Sequence, residues 1–311
     1  MILPMGLSRF AKFVLPGLLW VFASAASAAE PCRIEVVDQE NGWPVPLVEL
    51  QTTHGLKWHT DNAGVVAIDA PELFGRETWF HIRAHGYQAK ADGFGIRGKR
   101  VKVEPGQTVR IEIERTNIAK RLGRITGVGL FAESQKTGQD LDWKDGPIFG
   151  CDSVQNAVHQ GRLFWLWGDT QVANYPLGVF DGTSATTPIQ PLASLQPPVK
   201  LKLDYFVDEQ GRARGIAPME GPGPTWVTAY VSLRDKQRKS HLVGSYVKIR
   251  PPLSAYERGL AVWDDSTETF RHFRTLWREG EKEVNFPDGH PNLWTDSEGK
   301  EWVLFGNPFP T

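Results

Sequence analysis

Four acidic segments of this 311-residue chain each stand directly ahead of a run of strand-forming residues. Asp152 lies in Phe149-Gly150-Cys151-Asp152-Ser153, before the apolar hairpin of residues 156–168. Glu220, in Pro218-Met219-Glu220-Gly221-Pro222, precedes the run 224–233, and Glu257 precedes 260–263. Asp288 and His290 hold the same place before 291–295. Acidic groups at the entry to strands of separate sheets can meet around one opening. That arrangement suits glycoside hydrolysis, in which one carboxylic acid protonates the leaving oxygen while a second carboxylate activates water or attacks the anomeric carbon. Their separation decides the outcome, about 5–5.5 Å for retention and about 6.5–9.5 Å for inversion. Asp152, Glu220 and Glu257 are therefore the candidate catalytic residues, and Asp169, Asp181, Arg258, His290 and Trp226 are the candidates for holding substrate.

Blander roles compete at several of these positions. Asp169, in Trp167-Gly168-Asp169-Thr170, has the setting of an aspartate that closes a turn by accepting backbone N–H groups. Glu257-Arg258 reads equally as a surface ion pair, and Asp264-Asp265 as a solvated hairpin tip. His54, His59, His81 and His85 stand in no spacing that zinc favours, so no metal site is expected, although a structural calcium in a central channel stays open. No G-x-S-x-G, HExxH, P-loop or CxxC pattern occurs, which removes support for serine-hydrolase, metalloprotease, nucleotide and thiol-redox chemistry.

The elements that must position these residues are strands. Apolar runs are short or alternating, Gly 31 and Pro 22 punctuate them, and no long 3.6-residue period appears. The chain is expected to be all-β, a small β-sandwich followed by a partial β-propeller. Most of the Trp 12 residues are expected to fill cores, while some offer the flat faces on which sugar rings stack.

Residues 30–115 supply strand candidates at 33–38, 46–51, 57–60, 65–69, 78–84 and 108–115, with turns at Asn41-Gly42, Asp61-Asn62-Ala63-Gly64, His85-Gly86 and Pro105-Gly106. The segments Gly42-Trp43-Pro44-Val45-Pro46, Thr60-Asp61-Asn62-Ala63-Gly64 and His85-Gly86-Tyr87 resemble the transthyretin-like, carboxypeptidase-regulatory-like family. The resemblance implies a fold and no activity. Residues 116–126 are basic and read as a linker forming a short helix or turn.

From residue 127 to 311 aromatic-rich strands recur at longer intervals, with Gly and D-x-x-G turns between them. Such texture fits propeller blades of ~40–50 residues, of which this stretch holds about four. The chain ends on a strand, so either a four-bladed ring or a larger ring continuing past residue 311 is expected, the latter preferred because a ring must join its last blade to its first. The region resembles the five-bladed propeller glycoside hydrolases, the superfamily of arabinanases, invertases and anhydrogalactosidases. The resemblance implies that Asp152 is the first-blade aspartate, Glu220 the acid, Glu257 or Asp181 the third carboxylate, and His290 the channel histidine. Trp167-Gly168-Asp169-Thr170 also looks like a "G-D-T" element of such proteins.

The start of the chain carries Arg9 and Lys12, an apolar run over 13–23, and Ala26-Ser27-Ala28. These are the parts of a secretory signal peptide over residues 1–29; the apolar run is shorter than the ~20 residues a span needs. Pro31-Cys32 lacks the residues a lipid anchor would place before its cysteine. A secreted or periplasmic protein is expected, without membrane attachment after cleavage. Lys+Arg 35 against Asp+Glu 36, with no basic run, speaks against nucleic acid. Cys32 and Cys151 could pair in an oxidising compartment if their Cα atoms come within ~7 Å. The expected partner is a polysaccharide or oligosaccharide, and the expected function glycoside hydrolysis; the alternative is a non-catalytic carbohydrate-binding or cell-surface module, with an envelope structural protein third.

Overall fold

Every second residue of the early strands is apolar, and the folded chain buries that face. The computed structural model describes residues 29–306 except 145 and 283. The segment read as a signal peptide therefore lies, up to residue 28, outside the described residues. Strands β1 (Cys32–Asp38), β2 (Glu49–Thr52), β3 (Lys57–His59), β4 (Val65–Ile68), β5 (Glu77–Arg83), β6 (Tyr87–Gln88), β7 (Gly98–Lys102) and β8 (Thr108–Arg115) form two four-stranded sheets, ordered β4-β1-β8-β6 and β3-β2-β5-β7. Strand β1 runs parallel to β8 and antiparallel to β4. In β5, Thr78, Phe80 and Ile82 point inward while Glu77, Trp79, His81 and Arg83 do not. Both sheets feed one core containing Ile34, Val36, Leu50, Ile68, Phe80, Val101 and Ile111.

Turn chemistry sets this register. Asp61 Oδ1 accepts the N–H groups of Ala63 and Val65 at 2.9 and 3.0 Å. Gly64 follows at φ +69°, where an added Cβ would lie 2.5 Å from the Val36 carbonyl oxygen. Only glycine fits both demands. Strand β7 has no counterpart among the expected strands, because in Gly98–Lys102 Val101 alone is buried.

The second region is also built of antiparallel sheets. Strands β9 (Gly150–Cys151), β10 (Val154–His159), β11 (Arg162–Trp167), β12 (Thr170–Val172), β13 (Tyr175–Val179), β14 (Thr183–Pro188) and β15 (Asp204–Tyr205) give a four-stranded sheet β10-β11-β14-β15 and a small sheet β13-β12-β9. The β10–β11 turn places Gln160 at φ 47° and Gly161 at φ 76°, the paired positive dihedrals of a tight hairpin. Strands β16 (Thr225–Arg234), β17 (Ser240–Arg250), β18 (Ser254–Asp264) and β19 (Thr269–Arg278) form a second four-stranded meander, followed by the hairpin β20 (Asn292–Thr295) and β21 (Glu301–Leu304).

Strand β11 reads Arg-Leu-Phe-Trp-Leu-Trp and is apolar on both faces. Phe164 and Leu166 join a core with Tyr230, Tyr246, Trp263 and Phe270 of the second meander. Leu163, Trp165 and Trp167 face the other way, onto Ile125, Ile148, Leu201, Leu203 and Tyr205. The first strands of the two meanders lie side by side: Gln155 Nε2 donates to Thr228 Oγ1 at 2.8 Å, Gln155 Oε1 accepts the Ala229 N–H at 3.1 Å, and His159 pairs with Ser232 Oγ at 2.8 Å. Ala229 adopts φ 51° where β16 bulges.

The chain is all-β: no helix of seven or more residues occurs among those described. None of the described sheets closes on itself. Residues 116–126 form no helix. Their arginines anchor to backbone oxygens instead, Arg121 to Pro46 and His85 and Arg124 to Thr126 and Phe149. Cys32 and Cys151 are both free, so the disulfide considered from the sequence is not made. No described helix is long and apolar enough to cross a membrane.

Candidate functional site

Both meanders direct ionisable side chains toward the same end, where β10, β14, β16 and β18 begin and β11, β17 and β19 finish. Asp152 stands two residues before β10, and Asp169 two residues after β11. The two loops are tied through backbone, the Asp152 N–H to the Asp169 carbonyl at 3.3 Å and the Gly168 N–H to the Ser153 carbonyl at 3.2 Å. Gly168 is needed for that approach: a Cβ there would lie 2.3 Å from Asp152 Oδ1 and 2.4 Å from Ser153 Oγ.

Asp152 is exposed and Asp169 half-buried. Neither carboxylate accepts a hydrogen bond from a described residue, so Asp169 does not close its turn through its side chain. Thr170 acts locally instead, its hydroxyl donating to the Gly168 carbonyl at 2.8 Å. Burial pushes the Asp169 carboxyl above the usual aspartate range, and the charges of Asp152 and Asp181 push it further the same way.

Asp181 lies two residues before β14 and reaches across to the second meander. Its Oδ1 accepts the Thr225 N–H at 3.0 Å. Burial raises its pKa, opposed by that hydrogen bond and by the Lys248 charge. Phe180 packs edge-on against Trp226 with ring centroids 5.5 Å apart, and the Trp226 indole N–H is buried without a partner among the described residues.

Lys248, on β17, is 2% exposed and makes no ion pair within 4.0 Å among the described residues. Its ammonium donates to the carbonyls of Met219, Gly221 and Gly223 at 3.1–3.3 Å and to Thr225 Oγ1 at 3.1 Å. Burial lowers its pKa, while Asp181 and Glu257 act to raise it. It therefore senses carboxylates from both meanders and pins the loop that carries Glu220. The Glu220 side chain itself is exposed and has no hydrogen-bond partner among the described residues.

Glu257, expected ahead of a strand at 260–263, lies inside β18, which begins earlier at Ser254, and its side chain is held firmly. Its Oε1 accepts the Tyr246 hydroxyl at 2.6 Å and its Oε2 the Arg278 Nε at 3.1 Å. Burial alone would raise its pKa, but these two bonds and the Arg278 charge bring it below the usual glutamate range. The Tyr246 phenol is pushed up to about 12, by burial and then by the same bond to Glu257. Arg258 is half-buried and stacks over Phe286, 4.4 Å from its ring centre, with Trp277 at 5.9 Å. His290 is exposed in the loop before β20.

Asp152, Asp169 and Asp181 thus form one electrostatically linked group, and Lys248 links Asp181 onward to Glu257. Glu220 is tied to the group only through its neighbours Met219 and Gly221, whose carbonyls Lys248 binds. No group of three or more His, Cys, Asp or Glu able to hold a metal occurs among the described residues. Sequence reasoning missed Lys248, Tyr246 and Arg278. The signal for Lys248 was present, since it falls in step with Leu242, Gly244 and Tyr246, the inward-facing set of β17. No family model and no curated protein sequence matches the chain.

Proposed function

We propose that this chain is an exported carbohydrate-active protein that cleaves glycosidic bonds at the Asp152–Asp169–Asp181 group. The observation that carries the reading is the divergence of protonation preferences at one end of two adjacent sheets. Burial raises the pKa of Asp169 and of Asp181, while the bonds from Tyr246 and Arg278 bring that of Glu257 below the usual glutamate range. Carboxyls whose pKa values are pushed in opposite directions around one site are the setting in which acid and base roles separate. Asp169 is the proposed proton donor to the leaving oxygen, because its carboxyl is unencumbered. Asp152 is the proposed second carboxylate, exposed and on the loop tied to that of Asp169 through backbone. Trp226, Phe180 and the exposed Glu220 and His290 would line the approach of a sugar chain.

Two meanders packed through their first strands, with a third hairpin following, support the propeller reading of residues 127–311. An N-terminal export signal and a sandwich domain fit a secreted or periplasmic enzyme acting on a polysaccharide or oligosaccharide. The test is reducing-end release from a panel of plant and algal polysaccharides by the parent, Asp169→Asn and Asp152→Asn. Loss of turnover in each variant with sugar binding kept supports the reading. Absence of release by the parent, or full activity in both variants, overturns it.

The non-catalytic alternative draws on one observation: a cavity of about 920 Å³ lies away from the carboxylates, lined by residues such as Trp143, Leu163 and Leu203. Saturable binding of a polysaccharide without any bond cleavage would favour that module.

A further inference from the structure

Below the first meander lies a cavity of about 920 Å³, within the size range of small-molecule sites. Its floor is the sheet face formed by Leu163, Trp165, Thr187 and Tyr205, and its walls include Ile125, Trp143, Pro147, Ile189 and Leu203. The cause is traceable to sequence. Strand β11 is apolar on both faces, yet only the Phe164–Leu166 face meets another full sheet. The Leu163–Trp165 face is covered by irregular segments, which fill the space incompletely.

Two features bear on what occupies it. Trp143 lines the cavity and is 6% exposed, but its indole N–H has no hydrogen-bond partner among the described residues. A buried donor left unpaired is costly, and an acceptor brought by a ligand would relieve it. The charged lining is also one-sided: Arg124, Lys144, Lys200 and Lys202 face one carboxylate, Asp142. Lys200 is engaged with Asp140 and Asp142, and Arg124 with two backbone oxygens. Lys144 and Lys202 are exposed and form no ion pair among the described residues.

We infer that this cavity binds a small amphiphilic anion, an acyl or aryl chain entering between Trp165 and Leu203 with its carboxylate or similar head meeting Lys144, Lys202 and the Trp143 indole N–H. The chain would remove apolar lining from water, and the head would meet uncommitted ammonium groups. The site is separate from the carboxylate group and does not depend on the sugar-cleaving proposal.

The test is titration of the chain with sodium dodecanoate and with neutral dodecanol, below the micelle-forming concentration, followed by tryptophan fluorescence and calorimetry. Saturable one-to-one binding of dodecanoate is expected, roughly two- to fivefold tighter than dodecanol. Leu163→Trp, which fills the cavity, should abolish both. The exposed pair Lys144→Ala/Lys202→Ala, which leaves the core intact, should remove the preference for the anion while dodecanol binding persists. No saturable dodecanoate binding overturns the inference, as does binding unchanged in the lysine pair. Equal affinity of the parent for alcohol and acid overturns the anionic part.

Discussion

Asp61 of the sandwich receives both the backbone N–H and the hydroxyl of Ser134, at 2.7 and 2.6 Å. The same aspartate that shapes the turn before β4 thereby ties the first pair of sheets to the segment that leads into the later ones. Asn62 adds a reciprocal pair with the Arg124 backbone, at 2.9 and 2.7 Å, and Glu133 accepts the Ala67 N–H at 3.2 Å. Asp61 is 2% exposed, and burial pushes its carboxyl pKa up even against four hydrogen bonds. Asp61→Ala is expected to cost about 2–4 kcal/mol and to open the 116–134 segment to limited proteolysis. Ser134→Ala keeps the N–H bond and is expected to cost about 1 kcal/mol. Urea midpoints of the two variants, with protease nicking as the local readout, check this.

Gly168→Ala tests the site without touching a carboxylate. The backbone there needs no positive φ, so the strain falls on the Asp152 carboxylate and Ser153 hydroxyl that the methyl would strike. Turnover is expected to fall by about tenfold or more, while the melting temperature changes little. Equal loss of stability and activity would instead mark the glycine as a folding requirement.

Lys248→Met removes a buried ammonium that satisfies three carbonyls and a hydroxyl. The methionine matches its volume but leaves those acceptors unpaired, so a loss of about 2–4 kcal/mol is expected. Asp181 also loses its nearby positive charge, and its pKa should rise further. Hydrogen exchange confined to residues 219–225 and a titration of Asp181 distinguish the two effects.

Glu257 carries the pH dependence that can be signed most clearly. Its pKa is lowered in the folded chain, so its contribution is fully present above the unfolded value of ~4.3 and is lost as pH falls through the folded value. Glu257→Gln should be less stable than the parent by about 1–2 kcal/mol at neutral pH. The gap should close in acid, as the parent's own carboxylate is protonated. Denaturant midpoints at pH 7 and across the acid range below pH 4 measure it.

Much of the fold was legible because turns and alternation are local. Asp61-Asn62-Ala63-Gly64 and His159-Gln160-Gly161 mark turns where the structure has them, and the apolar runs fall within β1, β5, β8, β11 and β16–β19. Strand β7 was missed because Gly98-Lys99-Arg100-Val101-Lys102 buries one residue, the mark of a sheet edge defended by charge. The basic 116–126 segment looked able to form a helix; its arginines bind distant carbonyls instead, which local propensity cannot foresee. Within the site, Asp152 stands just ahead of a strand as its sequence position suggested, whereas Glu257, expected ahead of one, lies inside β18. Sequence position said nothing of which carboxylates are tied down. Asp169, expected to close a turn, is free, and Glu220, expected beside the other acids, reaches them only through the loop that Lys248 holds. Such distinctions arise between strands far apart in sequence.

The electrostatic coupling of Asp169 to Asp152 is open to direct measurement by carbon-13 NMR titration of the aspartate carboxyls. Asp169 should titrate above the ordinary ~3.9 of an aspartate, and its value should drop in Asp152→Asn as the neighbouring charge is removed. An Asp169 that titrates at or below the ordinary value, and does not respond to that substitution, would contradict the account.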